Sequence, residues 1–126
     1  MVENRRSVLI IDDNPSILRT MTRILSREGY DLDSAQTGKE ASEKLSTKKF
    51  DVALIDVGLG DTLGTDLLPL MNEVAPSMLK IVFTGTPMSE ATRDEVMRGA
   101  DVFLLKPVKP ETLIGILGEK LKGKNK

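Results

Sequence analysis

Four short apolar runs, each ending in a residue that carries chemistry, constrain this chain more than any other feature. Val8-Leu9-Ile10-Ile11 ends in Asp12-Asp13, and Val52-Ala53-Leu54-Ile55 ends in Asp56. Leu79-Lys80-Ile81-Val82-Phe83 ends in Thr84, and Val102-Phe103-Leu104-Leu105 ends in Lys106. Runs of this length without polar alternation read as strands covered on both faces. If they lie side by side and parallel, acids, a hydroxyl and an ammonium all emerge at the carboxyl edge of one sheet, where open α/β sheets bind their ligands.

The segments between the runs have helical spacing. Asn14 is suited to cap a helix that opens with Pro15, carries Ile17, Leu18, Met21, Ile24 and Leu25 on one stripe and stops at Gly29. Tyr30 to Ala35 reads as a short edge strand, with Leu32 its clearest inward residue, and a short helix follows from Thr37-Gly38 to about Ser46. A helix is expected from about Thr65 to Val74, although Pro69 fits only near a first turn. Ser89 to Arg98 reads as the next helix, and Pro110-Glu111 opens the last, which carries Leu113, Ile114, Leu117 and Leu121. Gly115 and Gly118 within it either weaken an exposed face or permit close packing. Five strands alternating with five helices predict an α/β, doubly wound, five-stranded parallel sheet with right-handed crossovers and helices on two faces. At 126 residues the chain has the size of one domain.

Composition removes several kinds of chemistry. With no cysteine and no histidine, the chain offers neither disulfides nor imidazole catalysis, so any histidine in its mechanism belongs to a partner. A net charge of -1 and no tryptophan argue against a nucleic-acid surface. Lys120, Lys122, Lys124 and Lys126 form a basic tail, read as a solvated terminus or a truncated linker over 122–126. No apolar run approaches the roughly 20 residues that span a bilayer, and the expected location is cytoplasmic.

Three carboxylates meeting in a small site repel one another unless positive charge compensates. An all-oxygen donor set of Asp12 or Asp13, Asp56, a backbone carbonyl and water suits magnesium, and the lack of histidine and cysteine disfavours zinc. Lys106 adds a fixed cation and Thr84 a hydrogen-bond donor. Together these groups fit a transferring phosphoryl group, with Asp56 the candidate nucleophile that forms an acyl phosphate. The chain lacks a Gly-x-x-x-x-Gly-Lys-Ser/Thr loop, so a nucleotide is not the evident donor.

In Val8-Leu9-Ile10-Ile11-Asp12-Asp13-Asn14, Asp56, Gly64 eight residues later, Phe83-Thr84-Gly85, Gly99-Ala100-Asp101 and Lys106-Pro107, the chain resembles a response-regulator receiver domain of two-component phosphorelay signalling over about residues 6–121. The resemblance implies a flavodoxin-like, chemotaxis-regulator-like fold with strand order 2-1-3-4-5, in a single receiver domain over 1–126. It implies that Asp12, Asp13, Asp56 and the carbonyl of Gly58 hold Mg2+. Asp56 would then accept phosphate from a histidine kinase or a histidine phosphotransfer protein, with Thr84 and Lys106 contacting the phosphoryl group. Thr84 and Phe103 would form a switch, Pro107 would follow a cis bond, and the surface of about residues 88–121 would change for a downstream protein, an output domain or a phosphorylation-dependent homodimer. Such a domain catalyses its own phosphorylation and slow dephosphorylation and is not a metabolic enzyme. The sequence departs from the family in having Gly60 where a proline is common, and small side chains at Gly58 and Thr86, which predicts access of water to the acyl phosphate. The alternative is a phosphorylation-independent interaction module on the same fold. A haloacid-dehalogenase-like phosphatase is disfavoured because that class needs an aspartate where this chain has Gly58.

Overall fold

The computed structural model describes residues 5–85 and 88–122. The expectations that rest on Thr86, Lys124 and Lys126 lie outside the described residues. Strands β1 (Ser7–Ile11), β2 (Asp31–Ala35), β3 (Val52–Asp56), β4 (Leu79–Thr84) and β5 (Val102–Leu105) form one parallel sheet in the order β2-β1-β3-β4-β5. Helices α1 (Pro15–Arg27), α2 (Gly38–Thr47), α3 (Leu68–Val74) and α4 (Glu90–Gly99) lie in the four crossovers, and α5 (Pro110–Lys122) follows β5. The sheet order agrees with the expectation.

The period of two along a strand divides the core cleanly. Val8, Ile10, Val52, Leu54, Ile81 and Phe83 face one way and pack with Leu18 and Leu25 of α1 and Leu113, Leu117 and Leu121 of α5. Leu9, Ile11, Ala53, Ile55 and Val82 face the other way and pack with Ala41 and Leu45 of α2, Leu68 and Met71 of α3 and Val96 of α4. Both sets are almost fully removed from water, which explains why the central runs lack polar alternation. The edge strand β2 is less buried, with Leu32 only partly covered and Ala35 its buried residue.

Helix α1 begins as its sequence requires. The Asn14 side-chain oxygen accepts from the Ser16 and Ile17 amides, and Pro15 occupies the first helical position. After the helix, Gly29 adopts a φ of +92°, the left-handed conformation that favours glycine. Helix α3 departs from the expectation. The segment from Thr65 to Val74 is a 3-10 turn at Gly64–Leu67 followed by a helix of seven residues. Pro69 thereby sits in the first turn of α3, where its missing amide hydrogen costs no helical bond. Among the described residues the other helices run ten to thirteen residues, so one crossover is carried by a much shorter element.

The structure also settles the role of Gly115 and Gly118. Both lie on the exposed side of α5, and a Cβ at either would meet nothing within 4 Å. They are not close-packing positions. Gly115→Ala and Gly118→Ala are each expected to raise stability by up to about 1 kcal/mol through helix propensity. A fall in thermal midpoint for both variants would contradict the open-face assignment.

Candidate functional site

The carboxyl ends of β1, β3 and β4, together with the turn after β5, converge on one patch. Asp12 follows β1 and is fully buried, its amide donating to the Ala35 carbonyl at 3.0 Å. Its two oxygens are separately held. Oδ1 accepts the Asn14 amide at 2.9 Å, and Oδ2 accepts from Lys106 Nζ at 3.1 Å. Asp56, the last residue of β3, is nearly buried, and its Oδ1 lies 3.4 Å from the same ammonium. Asp13 is exposed at the rim. One carboxylate oxygen from each of Asp12, Asp13 and Asp56 can be chosen so that all three lie within 4.8 Å of one another.

Lys106 is tied to the end of β4 by its amide, which donates to the Thr84 carbonyl at 2.8 Å. Its ammonium lies 5.5 Å from the centre of the Phe83 ring, and the Lys106–Pro107 bond is cis, as expected. Burial raises the Asp56 carboxyl above its ordinary value, and Asp12 and then Asp13 act in the same direction, while Lys106 opposes them. Three acids face one lysine, so the patch carries excess negative charge. An oxygen-only, electron-rich cluster of this size is a fitting donor set for a hard divalent ion.

Thr84 closes β4 and is buried. Strand register sets Val82 beside Phe103 and Thr84 beside Leu105, so Phe103 lies one strand across and two residues back from Thr84 on the same face. Phe103 is half-buried against the α2–α4 side of the core. The Arg93 guanidinium of α4 covers its ring at 5.3 Å, a contact that sequence reasoning missed because Arg93 reads as one more exposed helical charge.

The loop after Asp56 is tightly bracketed at its ends. The Val57 amide donates to the Phe83 carbonyl at 3.1 Å, and the Gly64 amide to the Val57 carbonyl at 2.6 Å. Gly58 pairs antiparallel with Leu63. Gly64 is buried so closely against Asp56 that an added Cβ would fall on the Asp56 carbonyl. The sequence also missed Asp61, whose carboxylate accepts the amides of Gly38 and Lys39 at 2.9 and 3.1 Å. Its distance from α2 along the chain hid that pairing. A further anchor fixes β5 on β4. The Asp101 carboxylate accepts the Lys80 amide at 2.8 Å, while the Asp101 amide donates to the Lys80 carbonyl at 2.8 Å.

Comparison with known proteins agrees with this geometry. The sequence matches the family described as response regulator receiver domain over residues 8–117. It is 32% identical over 111 residues to the alginate biosynthesis transcriptional regulatory protein AlgB of Pseudomonas syringae, a match that covers 88% of this chain and 25% of that protein. The chain therefore spans about a quarter of the length of that relative. Among solved structures, a receiver domain protein (CheY-like) from Methanospirillum hungatei superposes with a TM-score of 0.89 at 36% identity, covering 95% of this chain and 96% of that one. A response regulator protein from Burkholderia pseudomallei, solved with a phosphorylated aspartic acid, a calcium ion and citrate, gives a TM-score of 0.82 at 28% identity, covering 94% of this chain and 72% of that one. On the match over residues 8–117, together with an aspartate cluster and a lysine gathered at the carboxyl edge of a 2-1-3-4-5 sheet, this chain belongs to the response regulator receiver domain family.

Proposed function

We propose that this domain is a phosphoaccepting signal switch in which Asp56 takes a phosphoryl group from a phosphohistidine on a partner, a histidine kinase or a histidine phosphotransfer protein. The observation that carries the proposal is the meeting of Asp12, Asp13 and Asp56 within 4.8 Å with Lys106 Nζ at 3.4 Å from Asp56. An Asp56 carboxylate oxygen attacks phosphorus, the P–N bond to the donor imidazole breaks, and the imidazole leaves with its electron pair and takes up a proton. The product is an acyl phosphate. Later, water attacks phosphorus, the P–O bond to Asp56 breaks, and inorganic phosphate and the carboxylate are released.

The residues have separable tasks. Asp12, Asp13, Asp56 and the Gly58 carbonyl would hold Mg2+, which when bound supplies positive charge to the phosphoryl oxygens and offsets the crowding of the acids. Lys106 holds negative charge at the acceptor side before transfer and follows it onto the phosphoryl group afterwards. Thr84, buried at the end of β4, donates to a phosphoryl oxygen. Drawing Thr84 toward the phosphate opens space that the half-buried Phe103 ring can enter, which biases the surface formed by about residues 88–121 toward its activated form. That surface is the proposed contact for a downstream protein, an output domain or a second copy of the chain. The phosphorylated aspartic acid in the Burkholderia pseudomallei relative supports the same chemistry here. The proposed switch is a single receiver domain acting in the cytoplasm.

Incubation with magnesium and acetyl phosphate, followed by intact mass and site mapping, is expected to add one phosphate, on Asp56. Lys106→Ala should slow that addition by about a hundredfold, the scale of losing one aimed donor from a charge-stabilising site. No added phosphate on the wild-type chain would leave the phosphorylation-independent interaction module as the better reading.

A further inference from the structure

The loop that follows Asp56 is held at its ends but contains two glycines, Gly58 and Gly60, around whose Cβ positions there is open space. Glycine leaves a loop its widest range of conformations, so the path of residues 58–62 needs an external constraint. Leu59 supplies part of one by burying its side chain. At the tip, Asp61 supplies another. Its two carboxylate oxygens accept the Gly38 and Lys39 amides, the first two of α2.

This contact is more than a spare cap. Helix α2 already has its own cap, since the Thr37 hydroxyl accepts the Glu40 amide at 3.0 Å. Asp61 takes the two first-turn amides that Thr37 leaves over, and its charge sits at the positive end of the helix dipole. The Gly38 amide, and then the Lys39 amide, hold its carboxyl below the ordinary range. Asp61 is also linked back to the loop root. Its neighbour Thr62 donates to Asp66 at 3.1 Å, and Leu63 pairs with Gly58. Fixing Asp61 therefore restricts where the Gly58 backbone can lie.

We infer that Asp61 is a positioning residue that clamps the acceptor loop to the start of α2 and so sets the Gly58 carbonyl for metal binding beside Asp56. This rests on the proposed role of Gly58 as a metal ligand. A residue acting on a ligand through the loop should matter less than a direct outer partner, whose removal typically costs about 10- to 100-fold in affinity. Asp61→Ala is accordingly expected to weaken magnesium binding by about three- to tenfold, and Asp61→Asn, which keeps one acceptor oxygen, by less.

The test is a magnesium titration of wild type, Asp61→Ala and Asp61→Asn followed by amide chemical shifts, with amide exchange of residues 58–63 measured before metal is added. The inference predicts faster exchange across 58–63 in Asp61→Ala, a raised magnesium midpoint, an intermediate midpoint for Asp61→Asn, and phosphorylation from acetyl phosphate that returns to the wild-type rate at saturating magnesium. A lowered melting temperature with an unmoved magnesium midpoint would reduce Asp61 to a helix cap and overturn the inference. Failure of wild type to acquire phosphate on Asp56 would instead overturn the proposed function, and the two failures are read from different samples.

Discussion

Asp56→Asn is expected to take up no phosphate from acetyl phosphate and magnesium under conditions in which the wild-type chain gains one. The amide is close in shape to the carboxylate, so the fold and the neighbouring Lys106 should be retained, but its oxygen is too weak a nucleophile to form the anhydride. The same substitution should raise stability in metal-free solution. It removes one of three acids whose oxygens come within 4.8 Å of one another, against a single lysine. Two such charges repel by about 3 kcal/mol at an effective dielectric of 20. Loss of the favourable Lys106 contact and solvent screening at the exposed Asp13 reduce the net gain to about 1 kcal/mol. Intact mass measures the first effect and chemical denaturation without metal the second. Phosphate retained on another residue of the variant would remove Asp56 from the centre of the mechanism.

Gly64→Ala is expected to be the most damaging single-methyl change near the site. An added Cβ would collide with the Asp56 carbonyl and would come within 2.9 Å of the Ile55 side chain. Backbone in the middle of a sheet edge yields less readily than a flexible side chain, and overpacking of this kind costs about 1–3 kcal/mol. For a domain of this size that corresponds to a fall in melting temperature of roughly 5–12 °C. The clash also displaces Asp56, the proposed nucleophile, and the Gly64 amide loses its close bond to Val57. Phosphate uptake should therefore drop more than the loss of folded protein explains. Thermal denaturation and the rate of mass gain at a temperature where the variant is folded separate the two effects, and a melting temperature within about 2 °C of wild type would contradict the clash.

The strand runs are legible because the central strands are buried on both sides and show it in apolar runs, unbroken in β1 and β3 and interrupted in β4 only by Lys80. The sheet edge is legible because each run ends in a polar residue, which places Asp12, Asp56, Thr84 and Lys106 together from the sequence alone. Lys80 shows the limit of that reading. It sits inside a buried strand, where only the three-dimensional partners explain it: its ammonium donates to the Met78 carbonyl at 2.6 Å and lies 3.8 Å from Asp101. Helix α3 was misjudged in extent because the spacing of Leu67, Leu68 and Met71 reads as continuous helix, whereas Gly64 and Pro69 divide the segment into a 3-10 turn and a short helix. Asp61 and Arg93 were missed for a different reason. Their partners are backbone amides and an aromatic ring from other elements, and no local pattern announces such a pairing.

Asp12 and Lys106 stand 94 positions apart in the chain, yet their side chains touch. No short fragment, and no partly synthesised polypeptide lacking its last strand, can assemble the acceptor. Reactivity toward a phosphodonor is thus a readout of completed folding. A nascent or misfolded copy lacks the paired Asp12 and Lys106 side chains and would take up phosphate far more slowly than the folded chain.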